Sequence, residues 1–195
     1  VPLALANAPT EISEAGHLAG NRLHNFPITF PFAIVNGQYR ALEPEAFPLT
    51  GLSAATDINE EGQVLGWKGQ IDPTTGQATR SVVVWGRDGV VATAPVQGAT
   101  VDFDDFDRAL LDAGAPGDPN TRATLWRIGQ GTTDLGTLGG TWSRSTAMNL
   151  AGHVAGTSAT TSGDEHAFLW RNGRMTDLGT LGGTTSEVGI PHGLS

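Results

Sequence analysis

An excess of turn residues, a unit recurring about every 45 residues, and short β-branched or aromatic runs between the turns together predict the fold class. It is all-β: a small β-propeller of four blades, with five allowed, and four short antiparallel strands per blade. Of 195 residues, 27 are Gly and 11 are Pro. That lies well above the ordinary ~12% and has no triplet period, so the excess marks turns and not a collagen helix. A hydrophobic share of 38% with 16% charged residues is that of a chain that folds.

The repeat fixes the elements. Thr10 to Gly20 aligns with Thr56 to Gly66 and with Thr146 to Gly156, and a degraded copy runs from Val101 to Leu111. The apolar anchors Ile12, Ile58, Phe103 and Met148 stand 46, 45 and 45 residues apart. A second block, Phe168-Leu169-Trp170-Arg171-Asn172-Gly173, recurs at Thr124 to Gly129, at Val83 to Gly89 and, weakly, at Phe32 to Gly37. A third block is the clearest: Thr133 to Thr141 and Thr176 to Thr184 are identical in type over nine positions, with degenerate versions at 47–52 and 93–98 and a remnant at Pro2-Leu3. The expected organisation is a single domain over 1–195, built of repeats at about 12–57, 58–102, 103–147 and 148–190. A β-solenoid is the runner-up and would show shorter coils.

Within a repeat, the run that ends on Ile12 or Ile58 reads as an outer strand, followed by a turn of the Asn-x-x-Gly kind. The small-residue runs after it, His17 to Asn21, Gln63 to Trp67, Arg108 to Asp112 and His153 to Thr157, are placed innermost, lining a central axis. The Trp-centred block is then the second strand, with Trp85, Trp126 and Trp170 wedged between blades, and the Leu-Gly-Thr-Leu block is the third. Both chain ends, Asn7 to Ser13 and Thr184 to Ile190, carry outer-strand sequence; one closes the ring and the other is surplus.

Charge and composition exclude several classes. Twenty acids against eleven bases leave a net charge of −9, and ten of the bases are Arg with Lys68 the eleventh. No basic cluster exists to release counterions from a duplex, so no nucleic-acid partner is expected, nor a polybasic membrane anchor. No run of about 18 apolar residues exists, so no membrane insertion is expected. Cysteine is absent, which leaves any metal to oxygen or imidazole ligands. Ala4-Leu5-Ala6 imitates a signal cleavage site, without a basic or apolar region before it. The chain has no G-x-S-x-G elbow, H-x-x-x-H, Walker or dinucleotide motif, which disfavours redox, phosphoryl-transfer and zinc-hydrolase chemistry.

Residues that break the repeat are the candidates for function. His17, Gln63, Arg108 and His153 hold equivalent positions just after the turn and would converge on a ligand at one mouth of the axis, unless they are merely hydrated strand starts. The third copy carries Asp102, Asp104, Asp105 and Asp107, with Asp112 beyond. Crowded carboxylates supply a general acid and base or bind Ca²⁺; the bland alternative is a solvated acidic loop with Arg108 neutralising it. Asp57, Asn59 and Glu61 open like a calcium loop, but Lys68 stands where an EF-hand needs Glu, so only a short Ca²⁺ turn survives. Trp67 with Lys68, and Trp142 in a turn, offer faces for sugars or flat ligands. Arg22, His24, Trp67 and Asp112 would share one end of the axis. His166 and the three blade tryptophans recur with the repeat and read as packing residues.

His166-Ala167-Phe168-Leu169-Trp170 followed by Asp177-Leu178-Gly179-Thr180-Leu181-Gly182-Gly183 resembles the HAF-family extracellular repeat. The motif is specific in the last two copies and partial in the first two, where Phe32 to Gly37 lacks both His and Trp, and the resemblance covers nearly the whole chain. It implies a bacterial, exported β-repeat protein and implies no activity.

The expected function is binding of a neutral or cationic small molecule or glycan at the axial mouth, with no cofactor beyond an allowed Ca²⁺. The rival is a compact non-redox enzyme of the cyclase, isomerase or lyase type, pairing His24 with Asp112 or His153 with Asp104. A third reading is a protein-interaction scaffold. The enzyme requires a His and an Asp within hydrogen-bond reach in one concave pocket; a lectin-like binder requires equivalent shallow sites on several blades. The sequence leaves the oligomeric state open.

Overall fold

The computed structural model describes residues 7–25, 28–43, 51–71, 74, 78–115 and 117–189, with side chains except at 7–9, 23–25, 28, 51, 70–71 and 78–79. The expectations placed on Pro2-Leu3, on Ala4 to Ala6, on residues 47–50 and on Ile190 lie outside the described residues. The described residues are all-β and contain no helix. The first sheet joins β1 (Asn7–Ile12), β2 (Leu18–Asn25), β3 (Ile28–Val35) and β4 (Gln38–Ala41). The second joins β5 (Gly51–Ile58), β6 (Val64–Ile71), β7 (Ala78–Gly86) and β8 (Gly89–Thr93). The third joins β9 (Gly98–Phe103), β10 (Arg108–Ala113), β11 (Arg122–Arg127) and β12 (Gly131–Asp134), and the fourth joins β13 (Gly139–Met148), β14 (Val154–Thr160), β15 (Glu165–Arg171) and β16 (Arg174–Asp177). Each is an antiparallel four-stranded meander, the form of a propeller blade. Two compact units hold them: Val1–Ala94 with Phe103–Asp105, and Pro95–Asp102 with Phe106–Ser195.

The strand order read from the sequence is offset by one. The small-residue runs are second strands, paired on both sides, and line no sheet edge: β2 lies between β1 and β3, β6 between β5 and β7, β10 between β9 and β11, β14 between β13 and β15. The reason is the turn. Asn59 N–H donates to the Gln63 carbonyl at 3.1 Å and Gly62 N–H to the Asn59 carbonyl at 3.0 Å, which closes a tight hairpin and pairs the run before it with the run after it. The presumed outer strand is therefore the first strand of the same sheet, the Trp block is the third, and the run before each Leu-Gly-Thr-Leu segment is the fourth.

Small residues in the second strand have a packing cause instead. A Cβ on Gly66 would run into the Ala54 carbonyl and stand 2.6 Å from the Trp85 ring; one on Gly156 would meet the Arg144 carbonyl and lie 2.8 Å from the Phe168 ring. First strand and third-strand aromatic thus close on the second strand from two sides. The first strands also bulge at one recurring place, between Pro9 and Glu11, Ala55 and Asp57, and Ser145 and Ala147, so that Thr10, Thr56 and Thr146 are the extra residues.

Each unit has its own core. In the first, Ala19, Ala33, Ala55, Ile58, Val64, Val83 and Trp85 form one buried cluster. In the second, Leu110, Leu125, Leu135, Met148, Val154, Phe168 and Trp170 form another. Trp85, Trp126 and Trp170 are all buried, as the repeat predicts; truncating such a ring to Ala costs about 3–5 kcal/mol.

Candidate functional site

The turn that fixes the sheet order also positions the candidate residues. Its first residue is Ser13, Asn59, Asp104 or Asn149, and its side chain tends to accept the N–H four residues on: Ser13 Oγ from His17 at 3.3 Å, Asn59 Oδ1 from Gln63 at 2.9 Å, Asn149 Oδ1 from His153 at 3.0 Å. Gly16, Gly62 and Gly152 hold φ of 78°, 74° and 77° at the fourth position, where the degraded copy forces Asp107 to φ 56°. Arg108 therefore begins a second strand, and His17, Gln63 and His153 each stand one residue before one, but the structure gives them different surroundings.

In the first unit, His17 is only 7% exposed and its Nδ1 is buried without a hydrogen-bond partner. It is packed under the Gly62 turn, 3.5 Å from where a Cβ on Gly62 would stand. Gln63 instead lines an open cleft of about 680 Å³ with Gln38, Tyr39, Arg40, Glu61 and Arg87. Tyr39 is half exposed and its ring stacks on Phe32 at 5.6 Å. Arg40 reaches the Gly62 carbonyl at 3.3 Å. Burial, then the neighbouring positive charge of Arg87, holds the Arg40 guanidinium below its usual range, with Asp88 opposing. Two guanidiniums crowded beside an aromatic face and side-chain amides can take a ligand that carries both hydroxyls and an acidic group.

In the second unit, Arg108 lines a smaller cleft of about 380 Å³ with Phe106, Asp107, Arg127, Gln130 and Leu150. Its guanidinium donates to the Leu150 carbonyl at 2.8 Å and lies 5.1 Å from the Phe106 ring. The half-buried His153 stands just before β14, and its main chain closes the Asn149 turn.

The other candidates are dispersed. Asp112 accepts both the N–H and the hydroxyl of Ser145, at 2.8 and 2.7 Å, so it joins the third sheet to the fourth. Burial pushes its carboxyl up, while the Ser145 hydrogen bonds and Arg144 pull it down. Asp104 is buried and its carbonyl takes the Asn59 amide at 3.5 Å. Asp102 accepts the Met148 N–H at 2.8 Å, and Asp105 accepts the Glu60 N–H at 2.7 Å. The sequence-adjacent acids thus serve separate partners. His24 lies on β2, its side chain outside the described residues, and Asp112 belongs to the other unit. Asp104 and His153 likewise fall in different units, so neither proposed acid–base pair is assembled within a unit.

Trp67 is half-buried, with the Arg80 guanidinium 4.3 Å over its ring. Lys68 pairs at 2.9 Å with the buried carboxylate of Glu43, which also accepts the Trp85 indole N–H at 2.8 Å. Arg22 lies 5.7 Å from the Phe30 ring. Trp142 sits in β13 and not in a turn, 5.2 Å under the Arg144 guanidinium. Of the calcium candidates, Asp57 accepts the next N–H at 2.7 Å, Asn59 spends its amide on the turn, and Glu61 is exposed in the first cleft. Among the described residues no three His, Asp or Glu side chains gather closely enough to hold a metal ion. His166 pairs at 2.9 Å with Asp177, whose carboxyl that hydrogen bond holds below its usual range. The third sheet repeats the pair as Arg122 and Asp134 at 3.2 Å.

Sequence reasoning missed Tyr39, Arg40 and Arg87. Its one available signal was that Tyr39, just after the Asn36-Gly37 turn, is the chain's single tyrosine. No protein-family model matches the chain, and no curated protein matches it.

Proposed function

We propose that the protein is a binding module for a small polar ligand, a glycan or small molecule that carries a carboxylate, held in the first unit's cleft. One observation carries the reading: Arg40 and Arg87 crowd together beside the half-exposed Tyr39 ring and the Gln38 and Gln63 amides. The net charge of −9 argues for neutral or cationic ligands, but an ordered ligand meets the local field, and here that field is set by two guanidiniums against Glu61 and Asp88. Tyr39 supplies a face for a sugar ring, and the amides supply donors and acceptors for hydroxyls. Binding is favoured over catalysis in this cleft because none of its lining residues is a His that could act as its acid or base. Export remains part of the proposal and rests on the resemblance of His166 to Trp170 to an extracellular repeat; the chain should be recovered from the medium of its source cells.

Titration calorimetry against oligogalacturonate and against a neutral gluco-oligosaccharide of equal length tests the reading. Arg87→Ala should weaken the acidic ligand about tenfold and leave the neutral one unchanged. Tyr39→Ala should weaken both by about three- to tenfold. Equal responses of the parent and both variants, or no heat with either ligand, reject the proposal.

A further inference from the structure

Thr176 to Thr184 repeats Thr133 to Thr141 not only in sequence but in bonds. Gly136 N–H donates to Asp134 at 2.8 Å, as Gly179 N–H does to Asp177 at 2.6 Å. Ser143 Oγ accepts the Ala123 N–H at 3.1 Å and donates to the Gly136 carbonyl at 2.7 Å; Ser186 Oγ does the same with Ala167 at 3.0 Å and Gly179 at 2.7 Å. What covers them differs. Leu135 is 4% exposed, in one cluster with Met148 and Val154 of the next sheet, and Leu138 packs on that cluster. Leu178 is 57% exposed, and Leu181 is fully exposed.

The first sheet shows the opposite half of the same contact. Ile58, Phe103 and Met148 are all under 9% exposed, whereas Ile12 at their position is 62% exposed. The turns agree. Glu60 of the second sheet accepts the N–H groups of Glu14 and Ala15 in the first sheet's turn, at 2.6 and 2.5 Å, so an acid after the turn's first residue caps the turn of the sheet before it. Glu14 holds that position in the first sheet and is exposed; the fourth sheet's turn, Asn149 to Gly152, has Leu150 there.

We propose that the protein self-associates head to tail, the first sheet of one copy seating on the fourth sheet of a second. Ile12 covers Leu178 as Met148 covers Leu135, and Glu14 accepts the Leu150 and Ala151 N–H groups as Glu60 accepts those of Glu14 and Ala15. The occupant is a second copy because the contact already exists inside each unit, made by this sequence with itself, and both halves of it are left exposed. Thr184 to Gly189 starts where a further first strand would, so it competes with Asn7 to Pro9 for one place and keeps the association weak.

Sedimentation velocity from about 1 µM to 1 mM reads the outcome. The parent should gain mass with concentration. Leu181→Asp and Ile12→Asp should each weaken association at least about tenfold while leaving the melting temperature unchanged, since both side chains are already in water. Mixed in equal amounts, the two variants should recover a complex that stops at two copies, one supplying an intact head and the other an intact tail. A parent that stays monomeric throughout the range, variants that associate as the parent does, or a mixture that stays monomeric overturns the proposal.

Discussion

In the first unit Asn21 of β2 holds the second sheet through one backbone position, accepting the Ala55 N–H at 2.8 Å and donating to the Ala55 carbonyl at 2.9 Å. In the second unit Asp112 stands at the matching place in β10 and holds Ser145, the residue that matches Ala55, by its N–H and its hydroxyl. An amide both donates and accepts, so it needs only a backbone for a partner; a carboxylate only accepts, so it needs a second donor, and Ser145 supplies one. The same joint between sheets is thus made twice, once neutral and once charged. The second unit's joint thus carries a titratable group that the first unit's joint lacks.

The joint depends on the second strand lying close to the first, so the largest expected effect comes from forcing them apart. Gly156→Val in the second unit and Gly66→Val in the first each drive a branched side chain into a carbonyl and an aromatic ring. Each should cost about 3 kcal/mol or more, read as a fall in the urea midpoint. A loss below about 1 kcal/mol would mean that the third-strand aromatics can move aside. Next in size is Glu43→Ala, which strands the Trp85 indole N–H in the first unit's core and removes the Lys68 partner. About 2 kcal/mol is expected, with Glu43→Gln recovering part of it through the indole bond; equal losses in the two variants would show that only the ion pair matters.

Asp112→Asn sharpens the comparison directly, because it gives the second unit the first unit's residue. Burial raises the folded carboxyl above its ordinary value. The stability it contributes is therefore complete below the unfolded pKa and is lost as pH rises through the raised one. The amide oxygen of Asn still accepts both Ser145 hydrogens and carries no charge. The variant should melt with the parent near pH 3 and above it at pH 7, with the difference opening between those limits. A variant that melts lower at pH 7 would mean that the carboxylate is held by more than Ser145 and Arg144.

The period, the strands and the buried tryptophans were legible because they recur: four copies of one pattern expose what packing needs at Trp85, Trp126 and Trp170. The strand offset was not legible from residue type, since a run such as Thr56 to Ile58 looks the same as the last strand of one sheet or the first of the next. Only the bonds of the Asn59 turn decide it. Proximity in sequence also misled at Asp102 to Asp107, where alternation along β9 and a turn aim neighbouring carboxylates at different partners. Gln63, Glu61 and Arg108 were found because the turn places them on its rim. Tyr39, Arg40 and Arg87 were not, because their cleft is made by β4 and by turns from two repeats, and the pairing of those segments is a tertiary fact.

The smallest expected effect concerns the pair that both copies of the third block share. Asp177 is exposed, and the hydrogen bond from His166 lowers its carboxyl. A depressed acid contributes stability that is present above its unfolded pKa and is lost as pH falls through the folded one, so His166→Ala should matter at neutral pH and vanish in acid. Solvent screening keeps the loss to about a degree in melting temperature. Arg122→Ala removes the matching pair in the third sheet and should cost no more than His166→Ala, since its two side chains are the more exposed. A drop of several degrees from His166→Ala would show that this imidazole holds the fourth sheet's exposed end in place, beyond pairing with one carboxylate.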